Sequence, residues 1–499
     1  MSDWGGGYVT DVTYSLGWYR QQSPMMMALA SIIGGSLATI PAGDDPVQLL
    51  ELGCGFGYGA MALAASNPSW TVTAVDFNPA HIATAREWAA EAGLTNITFV
   101  EGDLSSWEDN PALRDLPEMD FVTMHGVWSW VPPAAQQGIV RLLAQKVRPG
   151  GLVHISYNTL PGWQERMGAA RIIREVGRRT PGRSDVQAKE GLRVVKDLAA
   201  VGAHSLQDNK SLTNLIEALD SVSVHYLAHE FMNAHWQPCF AMDVAAALSE
   251  AKLDWIASSN LTENFPELML SEEQREIFNR YSDPAMQELI KDMCCPRGLR
   301  HDVFVRGARR LNLAERANAL MDVSLTLLKT PLELPEAVDT PAGRAELNKE
   351  FYLPIVEALD TRSSRVRDLL DLPNIVGRRD NPAELISILI AADMVAPASR
   401  PNTEPGPEAI RFNTASTRRM IVREPPQRPV AAACRPTGIP VVVPLMALVV
   451  LDYTRVGVTS LEGLVRALNA DPAQEEAVRK SVESCLDRFI PMMKRTGVC

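Results

Sequence analysis

The stretch Val47-Gln-Leu-Leu-Glu-Leu-Gly-Cys-Gly-Phe-Gly-Tyr-Gly59 decides the fold, because an apolar run ends there in a glycine-dense turn. A helical pattern follows from Tyr58 to Ala65. A second apolar run, Trp70 to Val75, then closes on the acid Asp76. The order predicts a strand–loop–helix–strand unit, from which the rest of the fold can be worked out.

Three glycines and one acid give this unit the chemistry of a nucleoside site. Gly53, Gly55 and Gly57 permit tight turning and let a ligand approach the backbone closely. The N–H groups at the start of the following helix face a polar or anionic group. Asp76, at the end of the second strand, can accept hydrogen bonds from two ribose hydroxyls.

Two cofactors fit this glycine pattern. Gly55-Phe-Gly-Tyr-Gly-Ala60 matches the dinucleotide pattern G-x-G-x-x-A, which would indicate a nicotinamide cofactor. However, Glu51 stands two residues before Gly53, in the E-x-G-x-G-x-G form of class I methyltransferases. Asp103 also follows an apolar run, Ile97 to Val100, and is placed to meet an adenine amino group. The acids at successive strand ends favour S-adenosylmethionine (SAM).

Composition excludes several classes of protein. The net charge of −12 argues against a general nucleic-acid binder, although residues 297–310 hold five arginines and one histidine. The seven cysteines show no framework spacing, and the adjacent pair Cys294-Cys295 lacks a second pair, so we expect reduced thiols and no metal. The N-terminus has no signal-peptide pattern, and the longest apolar run, 439–451, is too short for a bilayer. We expect a cytoplasmic protein without a membrane span.

Residues 46–160 alternate between strand and helix, as in a doubly wound, Rossmann-like α/β sheet. Strands are predicted near 47–52, 70–76, 97–101, 119–125 and 151–157, with helices near 58–66, 79–92 and 133–146. The carboxyl ends of such strands meet in one crevice, where an open α/β sheet binds its ligand.

The sheet is predicted to be completed late in the chain. Helical patterns at 163–179, 185–200 and 211–225 come first, and only then a helix at 243–251 and strands at 253–259 and 302–306. We therefore predict an N-terminal arm and helix over 1–45 and a methyltransferase domain over 46–310. A helical lid is inserted over about 163–238, and a second insertion lies between the last two strands.

Two further modules are predicted after residue 310. Helices at 342–359, 366–372 and 381–391, followed by a strand at 409–413, suggest a winged-helix-like domain over 311–425 that packs against protein rather than DNA. A proline-rich linker, 423–440, leads into a helical C-terminal region over 426–499, where Thr459 and Asp471 are predicted N-caps.

To catalyse methyl transfer, the protein must align a nucleophile and exclude water, and an amine nucleophile must also lose a proton. The fourth and fifth strands end at polar and aromatic side chains that suit these roles, and we predict as catalytic residues His125, Tyr157, Asn158 and Trp163. For His125 the alternative is a contact with the cofactor alone. On the substrate side we expect Tyr14, Tyr19, Trp128, His229 and Glu230. His225 and His229, four residues apart, would suit a metal, but histidines hydrogen-bonded within a lid helix are the preferred interpretation.

Four segments resemble bacterial class I SAM-dependent methyltransferases that carry a methyltransferase regulatory domain, including rickettsial lysine methyltransferases that modify an outer-membrane protein. They are Tyr157-Asn-Thr-Leu-Pro-Gly-Trp163, His229-Glu-Phe-Met-Asn-Ala-His-Trp236, Glu263-Asn-Phe265 and Asp302-Val-Phe-Val-Arg-Gly307, and the opening Gly7-Tyr-Val-Thr-Asp-Val-Thr-Tyr14 also matches. The resemblance covers residues 7–310 and, more loosely, the tail. It implies a SAM site, a substrate cleft formed with the C-terminal modules, and a homodimer. The expected cofactor residues are Glu51, Gly53, Cys54, Gly55, Gly57, Asp76, Phe77, Asn78, Asp103, Leu104, His125 and Gly126.

Three functions remain open from the sequence. The leading one is a SAM-dependent N-methyltransferase acting on lysines of a surface or outer-membrane protein before export. The alternatives are a small-molecule methyltransferase and a SAM-sensing protein-interaction module. A long acidic cleft would suit a lysine-bearing protein, whereas an enclosed apolar pocket would suit a small molecule.

Overall fold

A seven-stranded sheet in the order β3-β2-β1-β4-β5-β7-β6 forms the centre of the protein. Its strands are β1 Gln48–Leu52, β2 Thr71–Asp76, β3 Ile97–Glu101, β4 Met119–Met124, β5 Val147–Asn158, β6 Leu253–Ser258 and β7 Leu299–Arg306. The first five strands run parallel, and β7 pairs antiparallel with both β5 and β6. This computed structural model describes residues 5–12, 16–206, 210–221, 224–375, 381–468 and 474–498. The doubly wound sheet is confirmed.

The central strand β1 is apolar on both faces, as expected for a strand covered on each side by helices. Leu49 belongs to the hydrophobic core on one face, and Leu50 and Leu52 belong to the core on the other. The helices that follow the sheet strands are Tyr58–Ser66, Pro79–Glu91, Pro111–Arg114 and Pro133–Lys146, and an N-terminal helix spans Pro24–Ile33. Parallel pairing therefore brings the carboxyl ends of β1 to β5 to one edge.

Both predicted insertions are helical. Between β5 and β6 the helices are Met167–Arg179, Ser184–Ala200, Lys210–Ser221, Val224–Phe231 and Ala241–Ser249. Between β6 and β7 they are Pro266–Met269, Glu272–Phe278 and Pro284–Cys294. Short 3-10 turns lie at Arg20–Gln22, Leu104–Asp109, Gln164–Arg166, His204–Leu206 and Leu261–Asn264.

A buried ionic network joins the second insertion to the sheet. Arg300, fully buried on β7, donates to Asp292 at 2.8 Å, to Glu288 at 2.7 Å and to both oxygens of Asp302 at 2.9 Å. Arg297 donates to Glu263 and Asp292 in the same network. Arg297 and Arg300, two of the five arginines in residues 297–310, are therefore paired with acids inside the protein and do not form a basic surface patch.

The chain after β7 forms small sheets and helices. Its helices are Leu313–Met321, Lys349–Thr361, Val366–Leu370, Pro382–Ala391, Pro407–Met420, Leu445–Arg455, Leu461–Ala467, Glu475–Ser484 and Ile490–Thr496, with a 3-10 turn at Pro331–Glu333 and a π turn at Cys485–Phe489. Its strands are Ser324–Leu327, Ala337–Thr340, Gly343–Glu346, Ser364–Arg365, Val395–Pro397, Pro429–Ala432 and Val441–Pro444.

Two secondary-structure predictions in this region are wrong. The predicted strand 409–413 is part of the helix Pro407–Met420, whose buried residues Ala409, Phe412, Ser416 and Met420 recur at helical spacing. The five residues 409–413 are too few to distinguish the helical spacing of buried residues from the alternation of a strand. The first part of the predicted helix 342–359 is instead a hairpin strand, and the helix begins after its N-cap Asn348.

The proline-rich stretch 423–440 is a packed element rather than a linker. Pro429–Ala432 pairs antiparallel with Val441–Pro444, and Val430 is buried. The phenol of Tyr58, on the first sheet helix, donates to the carbonyl of Ala431 at 2.8 Å. The start of the predicted helical region, 441–444, is therefore a strand. One hydrophobic core runs continuously from the sheet into the C-terminal region.

The winged-helix prediction is not confirmed. A three-stranded sheet in this region does accompany the helices, but its central strand, Ser324–Leu327, precedes the three helices that the prediction assigned to the module. Ser460 rather than Thr459 caps the helix Leu461–Ala467, because its side chain accepts from Gly463 N. The predicted cap Asp471 lies outside the described residues. No helix in the described ranges has the length and apolar character needed to cross a bilayer.

Replacing Arg300 by methionine should destabilise the fold strongly, because Asp302, Asp292 and Glu288 would lose a buried cationic partner. We expect a fall of about 3 kcal/mol or more in the free energy of unfolding, measured by urea denaturation. The matched control is Arg365→Met, which breaks only an exposed ion pair with Asp368 and should change stability by about 1 kcal/mol or less. Equal effects of the two substitutions would contradict a structural role for the network.

Candidate functional site

The glycine loop after β1 has the backbone geometry that the sequence predicted. Gly53, Gly55 and Gly57 all have positive φ, at 72°, 54° and 67°. A Cβ at Gly57 would lie 2.2 Å from the ring of Phe99, and one at Gly53 would lie 2.4 Å from Val127. At Gly55 the corresponding position is open. Side chains at Gly53 and Gly57 would clash with these neighbours, and one at Gly55 would occupy the open space. The loop therefore leaves room for a nucleoside to lie against the backbone.

Asp76, at the end of β2, ties this loop to the next one. Its Oδ2 accepts from the backbone N–H of Gly55 at 2.8 Å, and its Oδ1 accepts from that of Asn78 at 2.9 Å. His81 Nδ1 lies 3.3 Å from Oδ1. A carboxylate offers about four lone-pair sites, so Asp76 retains the capacity to accept from ribose hydroxyls.

Glu51 and Cys54, predicted cofactor residues, are in their neutral forms. Burial, with the nearby charge of Asp76, raises the pKa of Glu51 to about 8. Burial likewise raises the pKa of the Cys54 thiol. Glu51 can therefore donate a hydrogen bond at neutral pH instead of adding a second negative charge beside Asp76.

Asp103 follows β3, as predicted, and starts the 3-10 turn Leu104–Asp109. Its Oδ1 accepts from the backbone N–H of Ser105 at 2.8 Å. Since β3 pairs in parallel with β2, with Asp76 opposite Glu101, Asp103 lies at the same edge of the sheet as the glycine loop. The carboxylates at the ends of β2 and β3 are therefore neighbours on the nucleoside side of the crevice.

The first insertion holds an N-terminal arm, residues 5–12, over this side. Tyr8 packs edge-on against Phe77 with ring centroids 5.5 Å apart, and burial followed by the charge of Asp76 raises the pKa of Tyr8. Asn233 Oδ1 accepts from Val9 N at 2.8 Å. His229 Nε2 lies 3.0 Å from the carbonyl oxygen of Val12, which can only accept, so Nε2 carries the proton. His229 thus anchors the arm.

His125, at the end of β4, marks the acceptor side of the crevice. Its ring stacks on Tyr19 at 3.7 Å and lies 5.4 Å from His301. Ser156 Oγ accepts from Gly126 N at 2.9 Å and lies within hydrogen-bonding distance, 2.9 Å, of His125 Nδ1. Burial lowers the pKa of His125 to about 3. A base this weak does not suit proton removal from an amine, and both roles weighed for His125 stay predictions.

A carboxyl group and two phenols interact with one another, and one of the phenols, Tyr19, stacks on His125. The Tyr226 hydroxyl donates to the carboxylate of Glu230, one turn further along the helix Val224–Phe231. Burial, followed by the charge of Glu230, raises the pKa of Tyr19. Burial also raises the pKa of half-buried Glu230, to about 7. The predicted residues Tyr19 and Glu230 are thus brought together.

Four other predicted site residues are engaged elsewhere. The Tyr157 hydroxyl, fully buried, donates to Asp302 at 2.5 Å, and Trp163 Nε1 donates to the Gly298 carbonyl at 2.8 Å. Asn158 is almost buried, and its backbone N–H donates to Ser129 Oγ. Trp128 lies in the hydrophobic core on one face of the sheet. The side chains of Tyr157, Trp163 and Trp128 thus have partners or neighbours inside the protein, and the acceptor-side roles of all four residues stay predictions.

Tyr14 lies outside the described residues, so its predicted role stays untested. Sequence reasoning missed Tyr8, Tyr226, His81 and His301. Tyr8 could have been found from the sequence because it stands in the opening motif 7–14 that carried the family resemblance. Tyr226 could have been found because it lies four residues before Glu230, on the same face of a helix. In the ranges that the structure describes, no group of three or more histidine, cysteine or acidic side chains is arranged to hold a metal ion.

The raised pKa of Glu51 predicts a pH dependence of stability. The folded protein binds this proton up to about pH 8, whereas the unfolded chain releases it near 4.5, so stability falls as pH rises through that window. Wild type should lose free energy of unfolding between pH 5 and pH 8.5, and Glu51→Gln should reduce this loss by at least about 1 kcal/mol, as measured by urea denaturation. The control Glu101→Gln changes an exposed side chain on β3 and should leave the wild-type slope in place. Identical slopes in all three proteins would refute the assignment.

Comparisons with known proteins agree with this geometry. Residues 49–151 match the model of a methyltransferase domain, and residues 223–306 match that of a predicted methyltransferase regulatory domain. An uncharacterized protein of Synechocystis sp. is 33% identical over 357 residues, which cover 72% of this chain and 69% of that protein. A trans-aconitate 2-methyltransferase of Azoarcus sp. is 27% identical over 150 residues, 28% of this chain and 54% of that enzyme.

The solved structure of PKMT2 from Rickettsia typhi, in complex with AdoHcy, has the same fold. It superposes with a TM-score of 0.69 at 14% identity, covering 97% of this chain and 99% of that one. The likeness extends beyond the sheet into the C-terminal region. The chain belongs to the SAM-dependent methyltransferases that carry a methyltransferase regulatory domain.

Proposed function

We propose that this methyltransferase acts on lysine amines of a protein, in the cytoplasm, before that protein reaches the cell surface or outer membrane. The observation that carries the proposal is the group of Glu230, Tyr226 and Tyr19 on the acceptor side of the crevice. A carboxylate beside two aromatic rings attracts a cationic ammonium group and repels an anionic acceptor. The whole-length likeness of fold to PKMT2 of Rickettsia typhi supports the same substrate class.

The residues around the glycine loop would hold the cofactor. In this proposal Asp76 accepts from the ribose hydroxyls, Asp103 meets the adenine amino group, and the loop from Gly53 to Gly57 lies under the nucleoside. SAM supplies an electrophilic methyl group bound to sulfur. The chain contributes alignment, and Tyr8 with its arm excludes water from the nucleoside side.

A second candidate function, methylation of a small molecule, is favoured by a cavity that Tyr19 helps to line. It has a volume of about 400 Å³ and mainly apolar walls, which include Trp18, Met26, Ile390 and Phe489. Cavities of this size and character suit small ligands. Three cationic side chains also line it, Arg20, Lys329 and Arg488, together with one acid, Asp393, which pairs with Arg20 at 2.7 Å. This is not the long acidic cleft that a lysine-rich segment would prefer.

Label transfer distinguishes these functions. The purified protein is incubated with methyl-labelled SAM and an unfolded envelope-protein fraction, and we expect base-stable label on a protein band that maps to lysine. Label confined to the low-molecular-weight fraction would replace the proposal with the small-molecule enzyme. Binding of SAM without transfer to either fraction would instead favour a sensor.

Asp76→Asn tests the cofactor site directly. The substitution removes the negative charge that would accept from ribose hydroxyls, and it turns an amide N–H₂ toward backbone donors. We expect the affinity for S-adenosylhomocysteine, measured by calorimetry, to fall about 10- to 100-fold. Asp120→Asn is the control, since Asp120 accepts from Gln48 N at the opposite end of the strands and should leave affinity unchanged. Undiminished binding by Asp76→Asn would place the nucleoside elsewhere.

A further inference from the structure

We propose that Glu230 is the base that accepts the proton of the substrate lysine, and that Tyr226 and Tyr19 enclose the amine beside it. This inference rests on the proposed function and names the group that prepares the nucleophile. In the step, an N–H bond of the lysine ammonium breaks and an O–H bond forms on the Glu230 carboxylate. The electron pair of that N–H bond stays on nitrogen as the lone pair of a neutral amine.

The helix Val224–Phe231 places Glu230 where the two sides of the crevice meet. Its neighbour His229 contacts the arm at Val12 and lies 5.9 Å from the ring of Tyr8, which packs on Phe77 at the nucleoside side. Glu230 itself interacts with Tyr19, which stacks on His125 at the end of β4. Consecutive residues of one helix therefore reach the nucleoside side and the acceptor side.

Glu230 is held in a defined position by its own helix. Tyr226 lies one turn earlier, and its hydroxyl donates to the Glu230 carboxylate. This hydrogen bond uses one acceptor site and leaves the remaining lone pairs of the carboxylate available to an amine. Tyr19, whose ring stacks on His125, is 41% exposed, so a substrate side chain can reach it.

The titratable groups on the other elements that contact Tyr19, and the histidine stacked on them, do not suit this role. Burial lowers the pKa of His125 to about 3 and that of His301 to about 4, and it lowers the pKa of His154 as well. Arg428, which interacts with Tyr19 from the C-terminal region, is a hydrogen-bond donor only and is held by Glu424 at 2.7 Å. Glu230, with a pKa of about 7, is ionised in part of the molecules at neutral pH and is matched to proton transfer there.

A binding experiment tests the amine site without turnover. The protein loaded with S-adenosylhomocysteine is titrated by calorimetry with acetyl-Gly-Lys-Gly-amide and with its norleucine analogue. We expect wild type to prefer the lysine peptide and Glu230→Gln to bind it at least about tenfold more weakly, with unchanged affinity for S-adenosylhomocysteine. The control Glu217→Gln removes an exposed carboxylate from the preceding insertion helix and should bind as wild type does.

Equal binding of the two peptides by wild type, or of the lysine peptide by wild type and Glu230→Gln, would overturn the inference. If label still reached lysine in the transfer experiment, the proposed function would stand and the base would lie elsewhere. If label reached only small molecules while the lysine preference depended on Glu230, the proposed function would fail instead.

The pH profile separates a base from a merely structural residue. With the labelled acceptor protein, the transfer rate of wild type should fall as pH drops below about 7, because protonated Glu230 cannot accept a proton. Tyr226→Phe removes a hydrogen bond that lowers the pKa of Glu230, so its profile should move to higher pH. Glu230→Gln should lose this inflection, and Glu230→Asp should restore part of it. A profile that is the same in wild type and Tyr226→Phe would refute the assignment.

Discussion

The carboxylate of Asp76 is the constraint on which the site depends. Its two oxygens accept from the backbone N–H groups of Gly55 and Asn78, so one side chain fixes the loop after β1 and the loop after β2 relative to each other. The glycine loop has left-handed conformations that only glycine adopts without strain. A carboxylate anchored at two points holds that loop open for a ligand. Neutral Glu51 nearby keeps the site from carrying two adjacent negative charges.

The first insertion connects the two ends of the site. Through His229 and Asn233 it holds the N-terminal arm against Phe77, and through Glu230 it faces Tyr19. The arm is remote in sequence from both the loop and the insertion. Both sets of contacts arise from consecutive residues of one helix, His229 and Glu230.

The sheet and its cofactor edge could be predicted from the sequence because their signals are local. Apolar strands, glycines with special backbone angles and acids at strand ends each lie within a few residues, and the positions of Asp76 and Asp103 after β2 and β3 could be predicted this way. The acceptor side was predicted less well. Tyr157 and Trp163 stand at the expected strand end, but their partners Asp302 and Gly298 are more than 130 residues away, and no local pattern reveals such contacts. The same limitation turned a buried hairpin, Pro429–Val443, into a predicted linker.

The hydrogen bond from Tyr58 to Ala431 has a consequence for dissecting the protein. Tyr58 is the first residue of the helix that begins directly at the cofactor loop, and it is packed between Trp88 and Phe412. Asn67, just after that helix, donates to Gly438 and accepts from Arg400. A fragment ending near residue 310 would leave this helix with an uncovered apolar face and several orphaned polar groups. The smallest autonomous unit that contains the cofactor loop must therefore include the C-terminal hairpin, however far along the chain that hairpin lies.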